Sequence, residues 1–124
     1  MSCTGPLIAV VDDEASVRTM LRRVLWLANY RVSTFASGEA FLGSLVAHPP
    51  ACAVLDFQMP GLTGLEVQLS LRADKIEIPV IFITASDDVA LDQAVCDAGG
   101  LCLLRKPFAS DDLLDAVRLA LLQH

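Results

Sequence analysis

The sequence predicts a three-layer α/β domain in which a doubly wound, five-stranded parallel sheet lies between two layers of helices. Short apolar segments alternate with segments whose apolar residues recur at helical spacing. Four of the five apolar segments are continuous, which is typical of parallel strands covered on both faces. The chain has 124 residues, of which 54% are hydrophobic, and this fits one domain with its own core.

The first half of the chain contains three predicted strands and two predicted helices. The apolar run LIAVV predicts a strand at residues 7–11. A helix over residues 14–28 is indicated by a core-facing stripe of Val17, Met20, Leu21, Val24, Leu25 and Ala28. The half-polar RVSTF at 31–35 is typical of an edge strand, a helix follows at 37–46, and ACAVL predicts the third strand at 51–55.

The second half contains two more strands and three helices. Thr63-Gly-Leu-Glu66 is a capping box that begins a helix extending to about Ala73. PVIFI predicts a strand at 79–83, and the helix predicted at 87–98 is stopped by Gly99-Gly100. LCLL predicts the fifth strand at 101–104, and Ser110-Asp111-Asp112 caps a last helix ending near Leu122.

The connections between these elements predict the strand order. Crossovers between parallel strands are right-handed, and the half-polar strand at 31–35 belongs at an edge. The resulting order is 2-1-3-4-5, which is the order of flavodoxin-like folds.

Composition and charge exclude several classes of protein. The net charge is -6 and the nine basic residues are scattered, so this chain by itself lacks the basic face that nucleic-acid binding needs. No apolar run approaches the roughly 20 residues of a membrane helix. The N-terminus has no basic region of the kind that precedes a secretory signal. We therefore expect a protein of the cytoplasm that does not enter a membrane.

The cysteines show no metal-ligand or redox spacing. They are Cys3, Cys52, Cys96 and Cys102. We interpret them as reduced core residues, with a metal site or a disulfide as the alternative. His48 and His124 are assigned no role.

Polar side chains follow four of the predicted strands at the point where each strand ends. Asp12 and Asp13 follow the first strand, Asp56 the third, Thr84 the fourth, and Arg105 and Lys106 the fifth. Carboxyl ends of parallel strands lie on one edge of a sheet, and such folds bind ligands there, where the winding reverses. We therefore expect three carboxylates, a hydroxyl and an ammonium group to converge at this edge.

This set of groups suits the formation of an aspartyl phosphate. Three adjacent acids repel one another, and a hard divalent ion such as Mg²⁺ relieves that repulsion. A carboxylate beside Mg²⁺ and a lysine can attack phosphorus, and a nearby hydroxyl can donate to the transferred group. Taken singly, each residue has a plainer interpretation: Asp12 and Asp13 as helix caps, Asp56 as a turn former, Lys106 as a surface residue and Thr84 as a strand residue.

Four motifs in a fixed order extend along the whole chain. They are VVDDE (10–14), VLDFQMPGLTG (54–64), ITA (83–85) and KPF (106–108). Together they resemble the receiver domain of two-component response regulators, and ASGEAFL and LDFQMPG are most similar to regulators with a C-terminal helix-turn-helix output domain. The resemblance implies one receiver domain over residues 1–124, which is either a stand-alone domain or a fragment of a longer protein with a C-terminal DNA-binding output domain.

The resemblance also implies a role for each residue at the edge. Asp56 accepts a phosphoryl group from a histidine kinase or a phosphotransfer protein, so the chain is a regulator that assists its own phosphorylation rather than a turnover enzyme. Asp13, Asp56 and the carbonyl of Gln58 hold Mg²⁺, with Asp12 acting largely through water. Lys106 pairs with Asp56 and the phosphate and forms a cis peptide with Pro107. Thr84 moves onto the phosphoryl oxygen.

Two positions depart from the family pattern. The family usually has an aromatic residue three positions before the lysine, and its ring turns inward when the threonine moves. Leu103 stands there, and a leucine cannot report the switch in the same way. Gly100 occupies a position where the family often has alanine.

Two other hypotheses follow from the same residues. A phosphatase or phosphotransferase that forms an aspartyl phosphate needs a second acid, commonly two positions after the nucleophile, and Gln58 stands there. A binding module that has lost phosphorylation is favoured by Leu103.

Some apolar side chains are expected to face outward. Trp26 falls opposite the core stripe of the first helix, and Leu119 and Leu122 fall off the stripe of the last helix. They predict kinase docking at the first helix and a partner contact at the last, with partial cover or a frayed end as the alternatives. The resemblance implies a homodimer through helix 4, strand 5 and helix 5.

Overall fold

The computed structural model describes residues 4–122 and contains the five strands and five helices that the sequence predicts. The strands are β1 (Leu7–Val11), β2 (Arg31–Phe35), β3 (Cys52–Asp56), β4 (Val80–Thr84) and β5 (Cys102–Arg105). The helices are α1 (Ala15–Leu27), α2 (Gly38–Ser44), α3 (Gly64–Ala73), α4 (Ala90–Asp97) and α5 (Ser110–Leu122). Cys3 and His124 lie outside the described residues.

The sheet is parallel, and its order β2-β1-β3-β4-β5 confirms the prediction. Every residue of β3 and β4 is buried, whereas β2 at one edge is half-buried or exposed. This difference explains why the central strands have continuous apolar sequences and the edge strand does not.

Two apolar cores cover the two faces of the sheet, because successive strand residues point to opposite sides. On one face α1 and α5 pack through Leu21, Leu25, Leu113 and Val117. On the other face α2, α3 and α4 pack through Phe41, Val67, Leu71 and Val95. The predicted three layers are therefore present.

Strands β3, β4 and β5 each begin and end one residue later than predicted. Parallel pairing of β3 with β1 begins at Cys52, and at the other end Thr84 pairs with Arg105 across β4 and β5. As a consequence, Asp56 and Thr84 are the last residues of their strands, and the ladder of backbone hydrogen bonds fixes their positions.

The predicted start of α4 at residue 87 is wrong, since the helix begins at Ala90. The Asp88 amide donates to Ser86 Oγ at 3.2 Å, and the Ala90 amide donates to Asp88 Oδ1 at 3.0 Å. Side-chain hydrogen bonds of this kind compete with the helical pattern, and they delay the helix here. Helix α2 likewise ends at Ser44, two residues early, where the Ser44 hydroxyl donates to the Phe41 carbonyl at 2.7 Å.

The structure tests which apolar side chains are buried and which face outward, and it corrects two of these predictions and confirms three. Met20 was expected in the core but is 44% exposed, because the buried stripe of α1 is narrow and centres on Leu21 and Leu25. Cys52, Cys96 and Cys102 are free thiols, yet Cys96 is exposed on α4 rather than in the core. Outward positions are confirmed for Trp26, Leu119 and Leu122.

The predicted capping box at the start of α3 and the predicted glycine stop after α4 are confirmed, although α4 ends at Asp97, one residue before the predicted Ala98. Thr63 Oγ1 accepts from the Glu66 amide at 3.2 Å and Glu66 Oε1 accepts from the Thr63 amide at 3.0 Å, which completes the capping box. Gly99, with φ +84°, ends α4. At Gly100 an added Cβ would lie 2.6 Å from Phe82 Cε2, so the core itself explains why this chain has no alanine there.

Candidate functional site

The carboxyl edge of the sheet brings together the polar residues that follow the strands. Asp12 directly follows β1, Asp56 ends β3, Thr84 ends β4, and Lys106 directly follows β5. Asp12 and Thr84 are 0% exposed and Asp56 is 5% exposed. Carboxylates are rarely buried to this extent without a charged partner, so this edge of the sheet has the chemistry of a binding site.

Three carboxylates form a compact acidic cluster, defined by Asp12, Asp13 and Asp56. One carboxylate oxygen from each residue lies within 4.8 Å of the other two. Asp13 is exposed while the other two are buried, so the cluster opens to solvent on the Asp13 side. Oxygen donors at this spacing suit a hard divalent cation, and the residues present therefore fit a magnesium site.

The ammonium group of Lys106 lies beside the acidic cluster, and it is closer to Asp12 than to Asp56, the partner that the resemblance implied. Lys106 Nζ is 3.0 Å from Asp12 Oδ2 and 3.9 Å from Asp56 Oδ2. Lys106 therefore donates a hydrogen bond to Asp12, whereas its contact with Asp56 is an ion pair beyond hydrogen-bond distance.

Burial and charge raise the pKa of Asp56 from 3.8 to about 6. Loss of hydration is the largest cause, and the neighbouring carboxylate of Asp12 adds to it, whereas Lys106 and the Gln58 amide act in the opposite direction. Lys106 therefore offsets the burial and the neighbouring acids only in part, and further positive charge would favour the ionised form of Asp56. A divalent cation would supply that charge.

Asp12 is held at both its side chain and its backbone. Asp12 Oδ1 accepts from the Glu14 amide at 2.9 Å, and the backbone carbonyl of Asp12 accepts from Arg18 Nη1 at 2.8 Å. Both carboxylate oxygens of Asp12 are therefore engaged, one by Glu14 and one by Lys106. Arg18 is a site residue that the sequence pattern did not predict, although its position one turn into α1 is compatible with a contact to the preceding strand end.

The segment after β3 passes very close to the start of α3. An added Cβ at Gly64 would lie 2.3 Å from the Asp56 carbonyl oxygen, and the Gly64 amide donates to the Phe57 carbonyl at 3.2 Å. Within this segment the Leu62 amide donates to Glu39 Oε1 at 2.9 Å, a long-range contact that no motif in the sequence predicted. The turn that follows Asp56 is therefore held by hydrogen bonds to Glu39 of α2 and to Gly64 of α3.

The remaining predicted residues occupy the other side of the edge. Thr84 Oγ1 accepts from the Ser86 amide at 3.1 Å, and the Thr84 carbonyl accepts from the Lys106 amide at 2.7 Å. The Lys106–Pro107 peptide is cis. Leu103 is half-buried and packs on the core face that includes Val95 of α4. The Gln58 amide donates to Asp56 Oδ1 at 3.3 Å, while the metal-binding role of its carbonyl stays a prediction.

Residues 8–118 match the sequence model of the response regulator receiver domain. The chain belongs to this family. It is a receiver domain of a two-component response regulator, and such domains are signalling regulators rather than classical enzymes.

Curated relatives of this receiver domain are longer proteins. The transcriptional regulatory protein TdiR of Thauera aromatica is 38% identical over 114 residues, which cover 92% of this chain and 50% of that protein. The response regulator MprA of Mycobacterium avium is 40% identical over 111 residues, which cover 90% of this chain and 49% of that protein. The receiver domain thus spans about half the length of these relatives.

Solved structures share its fold over nearly the whole chain. FixJ-N superposes with a TM-score of 0.90 at 30% identity and covers 98% of this chain and 97% of its own. The response regulator StyR superposes with a TM-score of 0.85 at 39% identity and covers 97% of this chain and 61% of its own. Within residues 4–122, none of the helices combines the length and the apolar character that crossing a membrane demands.

Proposed function

We propose that this receiver domain is a phosphorylatable switch and that Asp56 is its phosphoryl acceptor. The supporting observation is the position of Asp56: it is buried among two further carboxylates and lies 3.9 Å from the Lys106 ammonium. A hydrogen bond from the Gln58 amide orients Asp56 Oδ1, which leaves Oδ2 as the oxygen that faces Lys106. A carboxylate held in this way is a positioned nucleophile.

The transfer joins Asp56 to phosphorus. A carboxylate oxygen of Asp56 attacks the phosphorus of a phosphohistidine on a histidine kinase or phosphotransfer protein, and a new O–P bond forms. The P–N bond breaks, and the imidazole leaves with its electron pair and takes a proton from solvent. Lys106 neutralises charge on the phosphoryl oxygens, and the Thr84 hydroxyl donates to one of them after transfer.

Asp13, Asp56 and the Gln58 carbonyl would hold Mg²⁺, and Asp12 would act through water. The engagement of both Asp12 oxygens by Lys106 and the Glu14 amide supports an indirect role for Asp12. When bound, the ion supplies positive charge to the acidic cluster and to the transferred phosphoryl group.

The partners of the switch follow from its surfaces. Phosphorylation would change the surface seen by partners or by an output domain. We propose that α1, where Trp26 is 47% exposed, docks the kinase, and that a homodimer forms through α4, β5 and α5. DNA would be contacted only through an output domain outside these residues; the relative TdiR is named a transcriptional regulatory protein. The proposed location is the cytoplasm.

Mass spectrometry after incubation with acetyl phosphate and Mg²⁺ tests the acceptor. The expected result is one added phosphoryl group on the wild type, none on Asp56→Ala, and an unchanged amount on Asp87→Ala, which removes an exposed acid of the same type. A phosphoryl group that survives Asp56→Ala, or that never forms, contradicts the proposal.

Two further measurements separate the rival hypotheses. Steady turnover of a phosphomonoester would favour the phosphatase. An oligomeric state that is unchanged by beryllofluoride and Mg²⁺ would favour the passive binding module.

A further inference from the structure

Residues 57–63, which we call the acceptor loop, join β3 to α3 and directly follow Asp56. The start of this loop is linked to the acidic cluster, because the Gln58 amide donates to Asp56 Oδ1 at 3.3 Å. The carbonyl of Gln58, which is the proposed backbone ligand of Mg²⁺, belongs to the same segment. The conformation of the acceptor loop therefore decides where one of the proposed ligands lies.

The two ends of the acceptor loop are held by the sheet and by α3. The Phe57 amide donates to the Ile83 carbonyl of β4 at 2.8 Å, and Thr63 caps α3 through its hydroxyl oxygen. The middle of the loop is less enclosed. Its exposed residues are Gln58, Pro60 and Gly61. A segment of this kind keeps one conformation only if further contacts hold it, because exposed backbone with few contacts moves readily.

Glu39 supplies such a contact from the first turn of α2. Its Oε1 accepts from the Leu62 amide at 2.9 Å, across 23 positions of sequence. Gly61 has φ +76°, and a Cβ added to it would lie 3.1 Å from Glu39 Oε1 and 3.2 Å from Oε2. The carboxylate thus lies against two consecutive residues of the acceptor loop.

The start of α2 gives Glu39 a fixed base. Ser37 caps the helix with its hydroxyl oxygen. Gly38 lies so close to the neighbouring segment that an added Cβ would be 2.5 Å from Val67 Cγ2 and 3.2 Å from Leu62 Cβ. Backbone packed in this way has little freedom, so the Glu39 carboxylate reaches the acceptor loop from a defined position.

We propose that Glu39 is a positioning residue for the magnesium site: it holds the acceptor loop in the conformation that makes the Gln58 carbonyl available to the ion. The proposal rests on the proposed function, which supplies the metal ligands. Glu39 is not itself a ligand, since the acidic cluster consists of Asp12, Asp13 and Asp56. It acts through the backbone of the loop.

The coordination chemistry of Mg²⁺ makes loop position important. This ion requires nearly ideal octahedral geometry with short ligand distances of about 2.0–2.1 Å, so a displaced carbonyl is a poor ligand. Loss of a residue that orients a metal ligand typically weakens metal binding by about 10- to 100-fold. Glu39 acts one step further away and the loop ends stay held, so we expect about 3- to 10-fold.

Two simpler roles for Glu39 predict different results. A role in stability alone would change the free energy of unfolding and leave the Kd of Mg²⁺ for the folded protein unchanged. A general electrostatic role would weaken Mg²⁺ binding whenever the negative charge is removed. Glu39→Gln separates charge from hydrogen bonding, because an amide oxygen accepts the same hydrogen bond without the charge. Glu39→Asp keeps the charge, but its side chain is one methylene shorter.

The test is an amide NMR titration with MgCl₂ at about 0.15 M salt, where interactions between distant exposed charges are screened. The Kd is obtained from the shifts of the Asp13 and Gln58 amides. Glu39→Ala and Glu39→Asp should raise the Kd by about 3- to 10-fold, whereas Glu39→Gln should stay within about twofold of the wild type. Glu77→Ala removes an exposed acid that precedes β4, at the opposite edge of the sheet, and should behave as the wild type.

The outcomes distinguish this proposal from the proposed function. If Mg²⁺ shifts neither amide in the wild type, the magnesium site of the proposed function fails and the role of Glu39 fails with it. If the wild type binds and Glu39→Ala binds equally well, the proposed function stands and the role of Glu39 is overturned. Equal weakening in Glu39→Ala and Glu39→Gln, with normal binding by Glu39→Asp, also overturns it, because charge alone would then explain the effect.

The rate of phosphorylation by acetyl phosphate gives a second measurement. At a Mg²⁺ concentration near the Kd of the wild type, Glu39→Ala should be phosphorylated more slowly than the wild type. At saturating Mg²⁺ the two rates should converge, because the variant lacks only affinity for the ion. A deficit of the same size at saturation would overturn a role in positioning the metal ligand.

Discussion

Replacing Asp56 by asparagine should stabilise the metal-free protein at neutral pH. The folded protein holds the pKa of Asp56 at about 6, against 3.8 for the free side chain. Between these values the folded state binds more protons than the unfolded state, so stability falls as the pH rises from about 4 to about 6. Asparagine has nearly the same shape as the protonated acid and carries no charge.

The expected gain follows from the two pKa values. At ~1.36 kcal/mol per pH unit, the difference between them corresponds to about 3 kcal/mol. Asp56→Asn should therefore unfold with a free energy about 2 to 3 kcal/mol higher than that of the wild type at about pH 7.5, and the gain should shrink toward zero at about pH 4. Lys106 keeps its partner Asp12 at 3.0 Å, so the substitution leaves no buried cation alone.

Urea unfolding in EDTA at several pH values measures this effect. Asp87→Asn, which removes an exposed acid outside the cluster, is the control and should stay within about 0.5 kcal/mol of the wild type. Adding Mg²⁺ to about ten times its Kd should stabilise the wild type by about 1.4 kcal/mol and Asp56→Asn by less. The reasoning would be refuted if Asp56→Asn were less stable than the wild type at about pH 7.5, or if its gain in stability did not depend on pH. Either result would mean that the folded protein does not raise the pKa of Asp56.

Three further predictions concern single contacts. Gly100→Ala should lower stability by about 1 to 3 kcal/mol in urea unfolding, because its Cβ would meet Phe82 at 2.6 Å. Thr63→Ala should cost about 1 kcal/mol in the same assay by breaking the capping box of α3. Lys106→Ala should raise the pKa of Asp56 further, because Lys106 lowers it, and a carboxyl-carbon NMR titration measures this.

Each of these has an outcome that counts against it. An unchanged or higher stability of Gly100→Ala would mean that the Phe82 ring yields without strain. Thr63→Ser keeps the cap and should behave as the wild type, so equal losses in both variants would exclude the hydroxyl as the cause. An Asp56 pKa that falls in Lys106→Ala would mean that Lys106 is not near enough to stabilise the carboxylate.

The fold could be predicted because each strand is a local pattern and the order of strands follows from the handedness of their connections. The site could be predicted for the same reason: parallel strands place Asp12, Asp56 and Lys106 at one edge wherever the strands begin. Errors of one residue in β3, β4 and β5 did not disturb that conclusion, since the polar residues at the strand ends are the same in either register.

Contacts that depend on three-dimensional placement could not be predicted. Whether Lys106 approaches Asp12 or Asp56 more closely is decided by less than 1 Å of side-chain position. Glu39 accepts from the Leu62 amide and Arg18 donates to the Asp12 carbonyl, and backbone donors and acceptors are the same whatever the residue type of the partner. The late start of α4 results from competition between local side-chain hydrogen bonds and the helical hydrogen-bond pattern. The same residues are compatible with either conformation, so their types do not show which one forms.

The close approach of Gly64 to the Asp56 carbonyl gives the proposed phosphorylation site one closely packed wall. Backbone packed so tightly against backbone has no room for adjustment, so the turn from 57 to 63 should look alike in every state of the domain. Superposing future structures on residues 52–66 would therefore provide a common reference frame in which displacements of the other strand ends could be measured.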